Sequence, residues 1–168
     1  MTRGPALDQA FHAKSIAIVG VPRSELNHPP GYTGLTFLRL LRKGGFEGRI
    51  YPVNPKASEI EGLKAYPSVT SIPEPLDLVI VAVPVVAVPG VLEDCSAAGA
   101  LDVHIATAGF SETGLAEGRD MEARTRDIAL RGGLRVVGPN CLGYHVPSAH
   151  MQMYDKIVLA QGPVAFLS

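Results

Sequence analysis

The chain has 168 residues, 46% hydrophobic and 18% charged, which suits one domain with a core of its own. Fifteen lysines and arginines against sixteen acidic residues leave a formal net charge of −1, which argues against a broad nucleic-acid surface. Cys95 and Cys141 stand far apart and outside any CxxC pair, so neither structural zinc nor a disulfide framework is indicated.

The first fifteen residues, "MTRGPALDQAFHAKS", contain no apolar run of the signal-peptide type. "SIAIVG" (15–20) is a short β-branched run closed by glycine, the pattern of a buried parallel strand. A loop of turn formers follows, and "GLTFLRLLRKGG" then spaces Leu35, Phe37, Leu38 and Leu41 as a helix that stops at Gly44-Gly45. "RIYPVN" (49–54) reads as a second strand, with Pro52 marking an edge or an irregularity. "YPSVTSIPEP" (66–75) is a connector with about one turn, and "DLVIVAVP" (77–84) is the third strand. "VAVPGVLEDCSAAGA" fits a helix with Pro89 in its first turn, where proline is tolerated. "DVHIATAG" (102–109) is a fourth strand. "EGRDMEARTRDIALRGG" is a charged amphipathic helix with Met121, Ile128 and Leu130 expected inward. "LRVVG" (134–138) is a fifth strand running into "PNCLG", and "HVPSAHMQMYDKIVLAQ" has no clean period. The longest apolar stretch, 78–92, is broken by Pro84, Pro89 and Gly90 and is too short for a membrane span, so no membrane partner and a cytoplasmic location are expected.

Strands alternating with helices at this spacing predict an α/β fold, with a mainly parallel sheet of about five strands and helices on both faces. Such sheets bind ligands at the carboxyl ends of their strands. Here those ends are Gly20, Asn54-Pro55-Lys56, Pro84, Thr107-Ala108-Gly109-Phe110 and Gly138-Pro139-Asn140, and small residues at four of them allow close approach to backbone. The first loop is not GxGxxG, because Gly20 is followed by a long excursion before Gly31 and Gly34. A helix opening near Gly34 would nevertheless aim N–H groups at a phosphate. Lys56 stands where an acid would read a ribose diol, and a cation there suits a ribose phosphate. The 2′-phosphate of NADP and the 3′-phosphate of coenzyme A both fit that description, as does a solvated surface lysine.

"SIAIVG", "GGFEGRIYPVNPK", "GLKAYPSV", "PEPLDLVIVAVP", "TAGFSETG" and "LRVVGPNCLGYHVP" occur in that order. Together they resemble the CoA-binding domain of the nucleoside-diphosphate-forming acyl-CoA synthetases. That family includes ADP-forming acetate–CoA ligase and is related to the succinyl-CoA synthetase α subunit. The resemblance covers roughly residues 10–148 and implies a Rossmann-like three-layer domain holding coenzyme A at its strand ends. By position it implies that Gly20, Val21, Pro22, Arg23, Ser24 and Gly34 cradle CoA phosphates and that Lys56 contacts the nucleotide end. It further implies that Val83 and Pro84 pack along the cofactor and that Thr107, Ala108, Gly109 and Phe110 line the path to the thiol. Asn140 would sit in the turn bordering the active region. Two departures stand out: Val21-Pro22 replaces the family's frequent Ala-Ser, and Leu40-Leu41 replaces an Asn-Leu late in the first helix.

The resemblance implies a CoA-binding domain at 1–148, with 149–168 as a linker and the first strand of a truncated second domain. The family's phosphohistidine segment and ATP-grasp part would be missing, so this chain is expected to bind CoA or acyl-CoA without catalysing ligation alone. No catalytic residue is assigned, and acyl selection is expected to lie elsewhere. "GPVAFLS" (162–168) has the pattern that opens a strand, and Val164 to Leu167 are expected either to lack order or to pair with another molecule, one route to a homo-oligomer. The five histidines show no HxxxH or HExxH spacing, so no metal site is expected. His104 reads as packed in a strand, Cys141 as a turn thiol and Glu112 as a solvated carboxylate near the thiol end. Two other readings remain open: an NADP-dependent oxidoreductase domain, and a stand-alone CoA-responsive regulatory module.

Overall fold

The computed structural model describes residues 8–24, 33–155, 160 and 162. In chain order its elements open with α1 (Asp8–Phe11), β1 (Ser15–Val19), α2 (Gly34–Lys43) and β2 (Arg49–Val53). A small hairpin of β3 (Glu59–Ile60) and β4 (Leu63–Lys64) follows, then β5 (Leu78–Val81), α3 (Val88–Ala97), β6 (Asp102–Ile105), α4 (Ala116–Gly132) and β7 (Arg135–Val137). A last hairpin joins β8 (His145–Val146) to β9 (Met151–Gln152).

Five strands make the main sheet in the order β2-β1-β5-β6-β7, and every pairing in it is parallel. The expected α/β, Rossmann-like three-layer domain is what the chain forms. All five residues of β1 are buried, because a parallel sheet is covered on both faces. Ala17 and Val19 face the layer of α3 and α4, with Val88, Leu92, Cys95 and Ile128. Ile16 and Ile18 face the layer of α2, where Leu35, Phe37, Leu38 and Leu41 are fully buried as their spacing predicts.

Pro52 is accommodated because β2 is the edge strand. Its neighbours direct their bonds to β1, with Arg49 N–H donating to Lys14 O (2.8 Å) and Val53 O accepting from Gly20 N–H (3.2 Å). The proline nitrogen therefore points away from the sheet. The outer side of β2 is covered by Tyr66, whose N–H donates to Pro52 O and whose carbonyl accepts from Asn54 N–H, both at 2.9 Å.

Three features depart from the sequence reading or go beyond it. Leu130, expected inward, is 72% exposed, because the inward stripe of α4 runs through Gly118, Thr125, Ile128 and Ala129. The β3–β4 hairpin falls in a stretch with no assigned element. The aperiodic tail forms the β8–β9 hairpin and plugs the α2 layer with Met151 and Met153, 1% and 0% exposed. The packing thus continues past the expected domain edge at 148. The segment from Val164 to Leu167, expected either to lack order or to pair with another molecule, lies outside the described residues.

Candidate functional site

The chain order of the sheet reverses beside β1, which places a switch point between the ends of β1 and β5, where open α/β sheets take ligands. Gly20 closes β1 with φ of +92°, and a Cβ there would lie 2.3 Å from Ala82 O. A Cβ on Gly34 would lie 2.8 Å from Gly20 O. The first turn of α2 therefore rests directly on the end of β1, and a side chain at either glycine would strike backbone. Thr33 caps the helix, its hydroxyl accepting from Thr36 N–H while the Thr36 hydroxyl accepts from Thr33 N–H, each at 3.3 Å.

Asn54 joins the first loop to the second. Its Nδ2 donates to Val21 O (2.8 Å) and its Oδ1 accepts from Lys56 N–H (2.8 Å). Arg23 adds a further tie, with Nη2 donating to Lys56 O at 2.5 Å. Val21 and Pro22 are buried, whereas Arg23, Ser24 and Lys56 are exposed. The Arg23 guanidinium thus lies against the backbone of Lys56, just beyond Asn54 and Pro55, which line a cleft of about 270 Å³ together with Gly20, Ser68, Val83 and Asp94. Asn54 is the residue that the resemblance leaves out. Its signal in the sequence is an amide immediately before Pro55 at a strand end, the type that bonds backbone two residues on.

The farther strand ends are tied in the same way. Thr107 Oγ1 donates to Val83 O (2.8 Å), linking the ends of β6 and β5. Asn140 N–H donates to Thr107 O (2.9 Å), linking the turn after β7 to β6. Pro84 and Ala108 are exposed beside these ties, and Asn140 is exposed with φ of +52°. Gly109 has φ of +108°, a backbone that side chains rarely adopt, so its identity is required there whatever binds. Phe110 is 0% exposed, its ring in the α3–α4 layer, so at the surface it offers backbone rather than a ring.

Glu112 is not a free base. Its carboxylate accepts from Gly109 N–H (2.6 Å) and Phe110 N–H (3.0 Å), and the Gly109 bond above all holds it below the usual carboxylate range. His104 is fully buried, with Nε2 2.8 Å from Cys141 O, so that nitrogen carries the proton and supports the 138–141 turn from below. Burial lowers its pKa to about 4. Burial likewise pushes the Cys95 thiol up to about 12, which makes it an inert core group. Among the described residues no cluster of three or more His, Cys, Asp or Glu side chains could hold a metal ion, and no helix is long and apolar enough to cross a membrane.

A second and larger cavity, about 480 Å³, lies between α4 and the end of β7, with Phe110, Thr125, Ala129, Val136 and Pro139 in its walls. Of the expected site residues, Gly20 and Val83 line the switch-point cleft, while Val21, Pro22, Arg23, Gly34 and Lys56 lie on the adjoining loops and the first turn of α2 and are not in its walls. Thr107, Ala108, Gly109 and Asn140 continue the same line of strand ends towards this second cavity.

Residues 14–147 match the model of a family described as "CoA binding domain", and the chain belongs to that family. It is 38% identical over 94% of its length to an ADP-forming acetate–CoA ligase of Methanocaldococcus jannaschii, of which it covers 21%. It is 35% identical over 97% of its length to the α subunit of ADP-forming acetate–CoA ligase I of Pyrococcus furiosus, of which it covers 35%. Among solved structures, a dinucleotide-forming acetyl-coenzyme A synthetase 1 of Ca. Korarchaeum cryptofilum superposes on 90% of the chain with a TM-score of 0.79 and 34% identity. That superposition covers 32% of the synthetase chain. The chain therefore corresponds to between a fifth and about a third of these longer proteins, and it matches the CoA-binding part of ADP-forming acyl-CoA synthetases.

Proposed function

We propose that this member of the CoA-binding domain family grips coenzyme A for an ADP-forming acid–CoA ligase. The carrying observation is the Asn54 clamp, which ties the first loop to the backbone of the exposed Lys56 beside the switch-point cleft, with the exposed Arg23 bonded to that same backbone. Two cations held by backbone ties suit a ligand with several phosphates. In this reading Gly20, Val21, Pro22, Ser24 and Gly34 shape the phosphate loop, and Arg23 and Lys56 carry its charge. Val83 and Pro84 flank the nucleotide. The backbone of Thr107, Ala108, Gly109 and Phe110 borders the pantetheine arm, and Asn140 lies near the thiol.

The acid, the nucleotide and the phosphate relay belong to parts of the enzyme beyond this domain, in the same or another polypeptide. The domain itself is drawn from the N-terminus through Met153, because that side chain still belongs to the core. The cytoplasm is the compartment that an ATP-linked ligase implies.

Calorimetric titration of the purified chain tests the reading. CoA is expected to bind more tightly than dephospho-CoA or ADP, and NAD is expected to bind poorly. NADP binding more than about tenfold tighter than CoA would replace this reading with the oxidoreductase one.

A further inference from the structure

The cavity between α4 and β7 has two properties that ordinary packing does not explain. One is its size, about 480 Å³, within the range of small-molecule sites. The other is Thr125, which occupies the core-facing stripe of α4 between Gly118 and Ile128, where an apolar residue would be expected. It is 5% exposed, and its hydroxyl has no hydrogen-bond partner. A buried hydroxyl without a partner is costly, so a polar group arriving in the cavity would find a donor and acceptor waiting.

The charges at the rim are already engaged. Arg119 Nη1 donates to Gly114 O (2.9 Å), Arg126 pairs with Asp127 (3.4 Å), and Glu122 accepts from Ser111 N–H (3.0 Å). That arrangement suits a neutral occupant better than a phosphate or a free carboxylate. The walls beyond Thr125 are apolar, from Ile105, Ala129, Leu134 and Val136.

Position supplies the identity of the occupant. The cavity begins at Phe110 and Gly138-Pro139, the strand ends at which the thiol would arrive. From the switch point at β1 to β7 there are three strand spacings, roughly 15 Å, a span suited to an extended pantetheine arm. We propose that this cavity receives the acyl tail of an acyl-CoA: a neutral, largely apolar group bulkier than acetyl, with Thr125 taking one polar substituent. The inference rests on the CoA-binding reading and assigns part of acyl selection to this chain rather than wholly elsewhere.

The test compares CoA, acetyl-CoA, hexanoyl-CoA, benzoyl-CoA and 4-hydroxybenzoyl-CoA in calorimetric titrations of the purified chain. Hexanoyl-CoA or benzoyl-CoA is expected to bind about tenfold more tightly than CoA, through burial of the added apolar area. Acetyl-CoA is expected to match CoA within about threefold, because a methyl group buries little. Ala123 is another wall residue, and Ala123→Phe, which fills the cavity, should abolish the gain while leaving CoA itself unchanged. Thr125→Val should remove any preference of 4-hydroxybenzoyl-CoA over benzoyl-CoA. Equal affinities for all five ligands on the wild type would overturn the inference and leave CoA binding intact. No binding of CoA would bring down both readings. The wild-type series alone decides the outcome if either variant fails to fold.

Discussion

At the scale of single residues, the site is built from backbone ties, and the charged groups ride on them. If the Lys56 ammonium meets a phosphate, Lys56→Ala should weaken CoA binding by about 1–3 kcal/mol, as expected for a charge-assisted bond. Dephospho-CoA then identifies which phosphate is met. A mutant and wild type that bind dephospho-CoA alike place Lys56 on the 3′-phosphate, equal losses place it on the pyrophosphate, and no loss for either ligand removes it from the site. Asn54 makes a sharper test, because it touches both loops and carries no charge. Asn54→Ala leaves Val21 O and the Lys56 N–H without their side-chain partner near the surface, where water can replace it, so thermal stability should fall by only about 1 kcal/mol. CoA affinity should fall at least as far as in Lys56→Ala, since both cations lose their common anchor. A melting temperature that collapses while affinity per folded molecule stays constant would make Asn54 a fold residue alone.

At the scale of elements, the parallel sheet was legible because a strand buried on both faces leaves a continuous apolar run, as in "SIAIVG" and "LVIV". Helix α2 was legible from its spacing, and the strand ends from their glycines and prolines. What stayed hidden came from elements too short to show a period. The β8 and β9 strands have two residues each, so Met151 and Met153 look like tail residues until the hairpin folds back and buries them. Leu130 was misplaced because it follows two inward residues, Ile128 and Ala129, and a third lies beyond the inward arc. Arg23 and Lys56 were readable one residue at a time, but the tie between their loops through Asn54 depends on a contact 33 positions distant in sequence. If the hairpin is part of the core, Met153→Ala should cost about 2–5 kcal/mol, measured by urea unfolding. Val86→Ala, at a position 74% exposed, is the control and should change stability by no more than about 0.5 kcal/mol. Similar small effects for both would show the hairpin to be an ornament on the sheet.

At the scale of the whole molecule, the fold carries a built-in weakness to acid. His104 sits in β6 at 0% exposure, with the Phe37 ring 5.6 Å away edge-on and Tyr144 at 5.7 Å. Burial holds its pKa at about 4 against an ordinary value of 6.5. Between those two values the unfolded chain binds a proton at this position and the folded chain does not. Stability must therefore fall as pH drops from about 6.5 towards 4, by roughly 3 kcal/mol from this group, and its effect levels off below that range. Asp77 acts lower. Burial works to raise its pKa, but the Lys14 N–H, the Gln9 amide, and the Ser15 hydroxyl and N–H outweigh it and hold the carboxyl below its usual value of 3.8. Its contribution is present above 3.8 and is lost as pH falls through its lowered pKa, after the histidine has already charged. Urea unfolding at pH 7.5, 5.5 and 4.5 is expected to show a steady decline across the series. His104→Gln should be less stable at pH 7.5, yet its decline from 7.5 to 4.5 should be shallower than that of the wild type. An equal slope in both proteins would mean that the acid sensitivity comes from other groups and that His104 is protonated without cost.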